Sequence, residues 1–148
     1  MSLILSLALI AQPAPEIVDF AGVPSPADLD RWSAQGATRI VTLLTEDEIA
    51  AMDYDLADAV AGRGMIHSIV PTGRDAGTLT ADQLAAVLGD AAGPVVIHCR
   101  SGTRASHLYA ASQIRQGALD PQDYARAAPQ RDQWREDLVE RYSGAEID

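Results

Sequence analysis

The stretch Gly93-Pro94-Val95-Val96-Ile97-His98-Cys99-Arg100-Ser101-Gly102-Thr103-Arg104 decides how the rest of the chain is read. Gly93-Pro94 punctuates, and Val95-Val96-Ile97 is a short, fully apolar run of the kind that forms a buried strand. His98 to Arg104 is a polar turn, and Thr103 to Gln116 continues as a helix stopped by Gly117. At a strand-to-helix junction, Gly102 lets the backbone turn tightly and come close to a ligand. Successive amides from Arg100 to Arg104 can face one concavity, a nest for an anion. The helix that begins near Thr103 adds its positive end at the same point. Arg104 offers two parallel hydrogen bonds to a tetrahedral oxyanion.

Cys99 sits at the base of this loop and is the only cysteine in the chain. A lone cysteine that ends an apolar strand is ordinarily a small buried hydrophobe. The Cys-x-x-Gly-x-Arg arrangement before a helix points instead to a nucleophile. Cationic neighbours and a helix N-terminus favour the thiolate, which is the attacking form. Binding of the anion then falls to His98, Arg100, Ser101, Gly102 and Thr103. His98 either orients the loop through backbone near Cys99 or is a satisfied core histidine. Thr103 or Ser106 could hydrogen-bond the cysteine sulfur, or serve as a helix cap or packing residue. His107, inside the helix, reads as structural or exposed.

A nucleophile that expels an oxygen leaving group needs a proton donor from another loop at the same sheet edge. Pro71-Thr72-Gly73-Arg74-Asp75-Ala76-Gly77 follows a strand read over Met65–Val70. Asp75 is the candidate acid and Arg74 a substrate contact, although Asp is also a common turn residue. Glu46 and Asp47, after the preceding strand, are weaker candidates and fit better as first-turn helix acids.

Outward from the loop, strands alternate with helices. Glu16 to Phe20 and Arg39 to Leu44 read as strands. Ser25-Pro26-Ala27-Asp28 opens a helix with Ser at the cap and Pro at the first position, and Gly36 stops it. Ile49, Met52, Leu56 and Val60 have helical spacing and predict one helix over Glu46–Ala61. Thr80-x-x-Gln83 has the form of a capping box, with Leu79 and Leu84 as its hydrophobic staple. Asp120-Pro121 starts a short helix, and Arg131 to Tyr142 predicts a last one with Trp134 and Leu138 inward. Apolar runs in place of strict alternation argue an α/β fold of three layers, a short parallel sheet with helices on both faces. Ligands of open sheets of this class bind beyond the carboxyl ends of the strands, where His98 and Cys99 lie.

The chain has 148 residues and a net charge of −10, with 11 basic residues, all arginine. So acidic a chain is a poor binder of nucleic acid or of an anionic membrane, and any positive field must be local. One cysteine excludes an internal disulfide and a thiolate zinc cluster. Leu3 to Ala11 is apolar but too short to span a bilayer. It fits the apolar core of a secretory signal, with Ser6 and Ala8 as a cleavage pattern, although no Arg or Lys precedes it. The alternative is a first buried strand or helix. Residues 1–15 are thus expected to be a signal-like segment and linker, and 16–148 the catalytic domain. A working signal in 1–11 places the mature protein in the periplasm; otherwise it is cytoplasmic.

From about Val18 to Arg115, two thirds of the chain, the sequence resembles a bacterial family, the beta-lactamase hydrolase-like phosphatases, which look like small dual-specificity protein phosphatases. Four stretches carry the resemblance: Gly22–Leu29, Gly36–Val41, His67–Pro71 and Gly93–Arg104. It implies a protein tyrosine phosphatase-like fold with Cys99 as nucleophile, Arg104 as phosphate-binding residue, no metal and no cofactor. Two departures stand out. Four residues separate Cys99 from Arg104, where ordinary protein tyrosine phosphatases have five, and a loop this short is similar to that of the rhodanese sulfurtransferases. Ala105 stands where members often have Ser. The remainder lacks the rhodanese pattern: no Gly-His-Ile upstream of the loop, and no Gly-Gly followed by Trp downstream.

The expected activity is a cysteine-dependent phosphohydrolase acting on a small phosphomonoester or a phosphoprotein. A sulfurtransferase with a Cys99 persulfide is the alternative. A non-catalytic module that binds an anion or a partner is the third reading.

Overall fold

Val41, Val95 and Ile97 point to one side of a parallel sheet while Ile40 and Val96 point to the other. All five are fully buried, so each face must be covered by helices. The computed structural model describes residues 14–148, so the apolar run Leu3–Ala11 lies outside the described residues.

The strands are β1 (Ile17–Ala21), β2 (Arg39–Thr42), β3 (Ile66–Ile69) and β4 (Val95–His98). Their order is β1-β4-β2-β3 and all pairings are parallel. β4 therefore lies inside the sheet, with Val41 opposite Ile97 and Thr42 opposite His98. One face is covered by α1 (Pro26–Ala34) and α3 (Leu56–Ala61), through Leu29, Trp32, Leu56 and Val60. The other is covered by α4 (Thr78–Gly89), α5 (Thr103–Arg115) and α6 (Glu136–Ser143), through Leu84, Leu88, Leu108, Ala111, Leu138 and Tyr142. The three layers expected from the sequence are present.

Local signals set most boundaries. Ser25 and Asp28 form a reciprocal capping box at the start of α1, and Pro26 occupies its first turn. Several expectations are corrected. The helix expected over Glu46–Ala61 is two: α2 (Glu46–Ala50) and α3, which restarts when Asp55 accepts the Asp58 N–H. Between them the Tyr54 hydroxyl donates to Pro24 O (2.5 Å), and this distant contact fixes the break. Thr80 and Gln83 do not form a capping box, because α4 begins at Thr78 and the Thr80 hydroxyl accepts the Gly77 N–H. Leu79 is 71% exposed and staples nothing. The last helix starts at Glu136 rather than Arg131, because the Arg135 N–H is taken by His107 Nε2 (2.9 Å). Trp134 is half-buried, tilted against the His107 ring and edge-on to Tyr124. A short 3-10 helix covers Pro121–Ala127.

Candidate active site

β4 ends at His98, and Cys99 begins the loop that leads into α5. Cys99 is fully buried, and its Sγ accepts the Gly102 N–H at 3.0 Å. Gly102 has φ +88°, a left-handed conformation that glycine adopts without strain. That turn aims its amide back at the sulfur. The loop is also pressed against the end of β1. Ser101 bridges to Gly22, and a Cβ on Gly22 would lie 2.9 Å from Arg100 O. Cys99 N–H donates to Ala21 O (3.0 Å), and Leu43 N–H donates to His98 O (2.9 Å). The strands on both sides of β4 thus hold the two ends of the His98-Cys99 step.

Arg104 leaves the first turn of α5 and reaches across to Glu48. Its Nη1 donates to Glu48 Oε1 (2.8 Å) and its Nη2 to Glu48 Oε2 (2.7 Å). Nη1 also approaches Leu43 O (3.1 Å) and Thr72 O (3.0 Å). A guanidinium has five N–H donors. Among the described residues, Nε–H and one Nη2–H of Arg104 have no partner, and these two lie along one edge of the group. The hydrogen bonds from Arg104 hold the Glu48 carboxyl down at about 2, and the carboxylate in turn raises Arg104. Glu48 is itself aimed by a capping box: Thr45 N–H donates to Oε1 (3.0 Å), and Glu48 N–H donates to Thr45 Oγ1 (3.1 Å). Sequence reasoning reached Glu46 and Asp47 but missed Glu48. The Thr45-x-x-Glu48 spacing was the available signal, because a boxed N3 carboxylate has a fixed direction.

His98 is buried, with Nδ1 3.2 Å from Cys99 O and Nε2 2.7 Å from Thr42 Oγ1. A carbonyl only accepts, so Nδ1 carries the proton and Nε2 accepts from the Thr42 hydroxyl. Thr42 Oγ1 lies 2.7 Å from His67 Nε2, which therefore donates to it. Burial pushes His98 down to about 4 and also lowers His67. His98 is thus a neutral bracket for the Cys99 carbonyl; it is buried and does not line the depression beside the loop, so it is not placed to bind the anion as expected.

The remaining expected residues fall on both sides of the loop. Arg100, Ser101 and Thr103 line, with Arg104, a depression of about 470 Å³. Thr103 Oγ1 accepts from Arg131 Nη2 (3.0 Å) rather than donating to sulfur. Ser106 is also turned from the sulfur, since its hydroxyl donates to Gly102 O and Thr103 O. His107 is structural and buried: Nδ1–H donates to Thr103 O (2.7 Å). Gly73 and Arg74 line the same depression as the loop, whereas exposed Asp75 lines a neighbouring one with Gly77, Thr78 and Thr80. Asp75 is not brought to Cys99 in this arrangement. Among the described residues, no group of three or more His, Cys, Asp or Glu is placed to hold a metal.

A parallel sheet covered on both faces, with a buried cysteine just past the carboxyl end of an inner strand and an arginine in the first turn of the following helix, is an arrangement of the protein tyrosine phosphatase-like fold. Two solved structures share the fold. A DUF442 protein of Shewanella putrefaciens CN-32 superposes with a TM-score of 0.65, at 18% identity and 86% coverage of each chain. The kinase associated phosphatase, solved with its catalytic-site cysteine replaced by serine, gives a TM-score of 0.58 at 13% identity, covering 83% of this chain and 75% of that one. The chain belongs to the family described as beta-lactamase hydrolase-like protein, phosphatase-like domain, which residues 16–116 match. The beta-lactamase hydrolase-like protein of Agrobacterium fabrum (strain C58 / ATCC 33970) is 29% identical over 113 residues. Those residues are 73% of this chain and 26% of that protein, so the chain spans only a minor part of its relative's length.

Proposed function

We propose that the protein hydrolyses phosphomonoesters through a phosphocysteine on Cys99. The Cys99 thiolate attacks phosphorus, the bond from phosphorus to the leaving oxygen breaks, and the leaving oxygen takes a proton. Water then attacks the phosphocysteine, releases phosphate and returns the thiolate. The reading rests on one observation above the others. Glu48 and two carbonyls occupy one side of Arg104, and its Nε–Nη2 edge remains for an oxyanion. Cys99 is covered, so the loop must shift as phosphate enters. Asp75 supplies the proton if the Pro71–Gly77 segment turns it toward the depression that Gly73 and Arg74 already line.

A second reading, sulfur transfer through a Cys99 persulfide, is favoured by the four-residue spacing between Cys99 and Arg104. The smaller ring of amides suits a sulfur. One experiment separates the two: wild type and Cys99→Ser are assayed with p-nitrophenyl phosphate, and with thiosulfate plus cyanide. Phosphate release that is lost in the variant and blocked by vanadate supports the phosphatase. Thiocyanate production, with a Cys99-dependent mass gain of one sulfur and no phosphate release, replaces it with the sulfurtransferase.

A further inference from the structure

The arginines of this chain are divided in a simple way. Arg31, Arg39, Arg63, Arg115 and Arg126 lie away from the loop, and each is ion-paired with an aspartate. Among the described residues, four arginines have no carboxylate within ion-pair distance: Arg74, Arg100, Arg131 and Arg141. Three of them line the depression above the loop, and the fourth, Arg131, holds its Thr103 hydroxyl. Arg104 and Arg135 complete the cationic lining, and Glu48 is its only carboxylate. Arg135 pairs with Asp137, but both side chains are more than half exposed, where an ion pair is worth little. A strongly cationic depression has therefore been built into a chain of net charge −10.

One phosphoryl group does not need this many cations. In the phosphatase reading the loop and the free edge of Arg104 serve its oxygens. Arg74 from the segment after β3, and Arg135 and Arg141 from either end of α6, stand around the same depression and are not needed for that group. At about 470 Å³ the depression is far larger than one phosphate and falls in the range of small-ligand sites. A large polyanion would meet the acidic remainder of the surface. A small ligand inside the depression would lie within one Debye length of the arginines, about 8 Å at physiological salt, and would be governed by them.

We propose that the site takes a small phosphomonoester bearing a second phosphate, held between Arg74, Arg135 and Arg141. The inference rests on the phosphatase reading of the loop and names its substrate class. The test uses Cys99→Ser protein and two probes, fructose 6-phosphate and fructose 1,6-bisphosphate, with affinities measured by calorimetry. The bisphosphate is expected to bind about tenfold more tightly, the effect of one further charge-assisted contact. Arg135→Gln combined with Arg141→Gln should bring that ratio close to one, and Arg135→Lys with Arg141→Lys should restore part of it. Both positions are exposed, and thermal melting checks that the variants fold. Wild-type protein that hydrolyses p-nitrophenyl phosphate while the serine variant binds the two sugars equally, or not at all, overturns this inference alone. A preference that survives the double glutamine variant also overturns it. Protein that binds neither sugar and leaves p-nitrophenyl phosphate intact overturns the phosphatase reading with it.

Discussion

Glu48 meets Arg104 with both carboxylate oxygens, at 2.8 and 2.7 Å, and each side chain is 23% exposed. The pair joins the first turn of α2 to the first turn of α5, and the Thr45 capping box sets its direction. Glu48→Gln keeps the size of the side chain but removes one charge-assisted contact. It should lower unfolding free energy by about 1–2 kcal/mol in urea titration. It should also reduce kcat/KM for p-nitrophenyl phosphate at least tenfold, because the free edge of Arg104 is no longer held in place.

The same pair sets an acid limit. The Glu48 carboxyl is held at about 2 against an ordinary 4.5, so its contribution is complete above pH 4.5 and is lost as pH falls toward 2. The stability gap between wild type and Glu48→Gln should narrow across that window. Urea denaturation at pH steps from 5 downward measures the gap, and a gap that stays constant contradicts the assignment.

His98 predicts a second, separate slope. It is neutral in the fold, with a value pushed down to about 4 by burial. Below pH 6.5 the unfolded chain takes up a proton that the fold refuses, so stability falls from pH 6.5 to about 4 and is unaffected by this group above that range. Imidazole NMR should give one histidine with a midpoint near 4. A midpoint near 6.5 for all three histidines counts against the assigned proton positions.

Gly22 predicts a steric effect. Alanine there would place a methyl group 2.9 Å from Arg100 O, a backbone atom that cannot rotate away, so the loop must move. Gly22→Ala should cost about 1–3 kcal/mol and at least tenfold in activity. Gly89→Ala is the control: a Cβ there meets nothing within 4 Å, at the end of α4, and stability should hold or rise. Thermal melts of the two variants make the comparison.

Asp75→Asn tests the proton donor. An acid matters most when the leaving group is poor, so the variant should lose more rate on phenyl phosphate than on p-nitrophenyl phosphate. Equal losses on both substrates would leave Asp75 as an ordinary turn residue.

What was legible in the sequence follows the distance over which each feature is determined. The strand, loop and α5 form one continuous segment, so Cys99, Gly102 and Arg104 could be placed from residue order alone. The Ser25–Asp28 box is equally local. Glu48 is different: the Thr45-x-x-Glu48 box fixes the direction of its side chain, but its partner is 56 residues away and no local signal names that partner. The break between α2 and α3 depends on Tyr54 reaching Pro24, and the late start of α6 depends on His107 taking the Arg135 N–H. The periodicity of Ile49 to Val60 contains neither fact. Asp75 shows the same limit at shorter range. Its loop could be named, but the direction of its side chain could not.

The sheet order has a consequence for how the molecule is made. β1 and β2 are not neighbours in the sheet; each pairs with β4, Ile17 with Val95 and Arg39 with the same residue. A nascent chain that has already released β1 and β2 still lacks their shared neighbour, and their edges wait for it. The single thiol follows directly on that strand. The Cys99 thiol therefore takes its buried place only when the segment that joins β1 to β2 has been made.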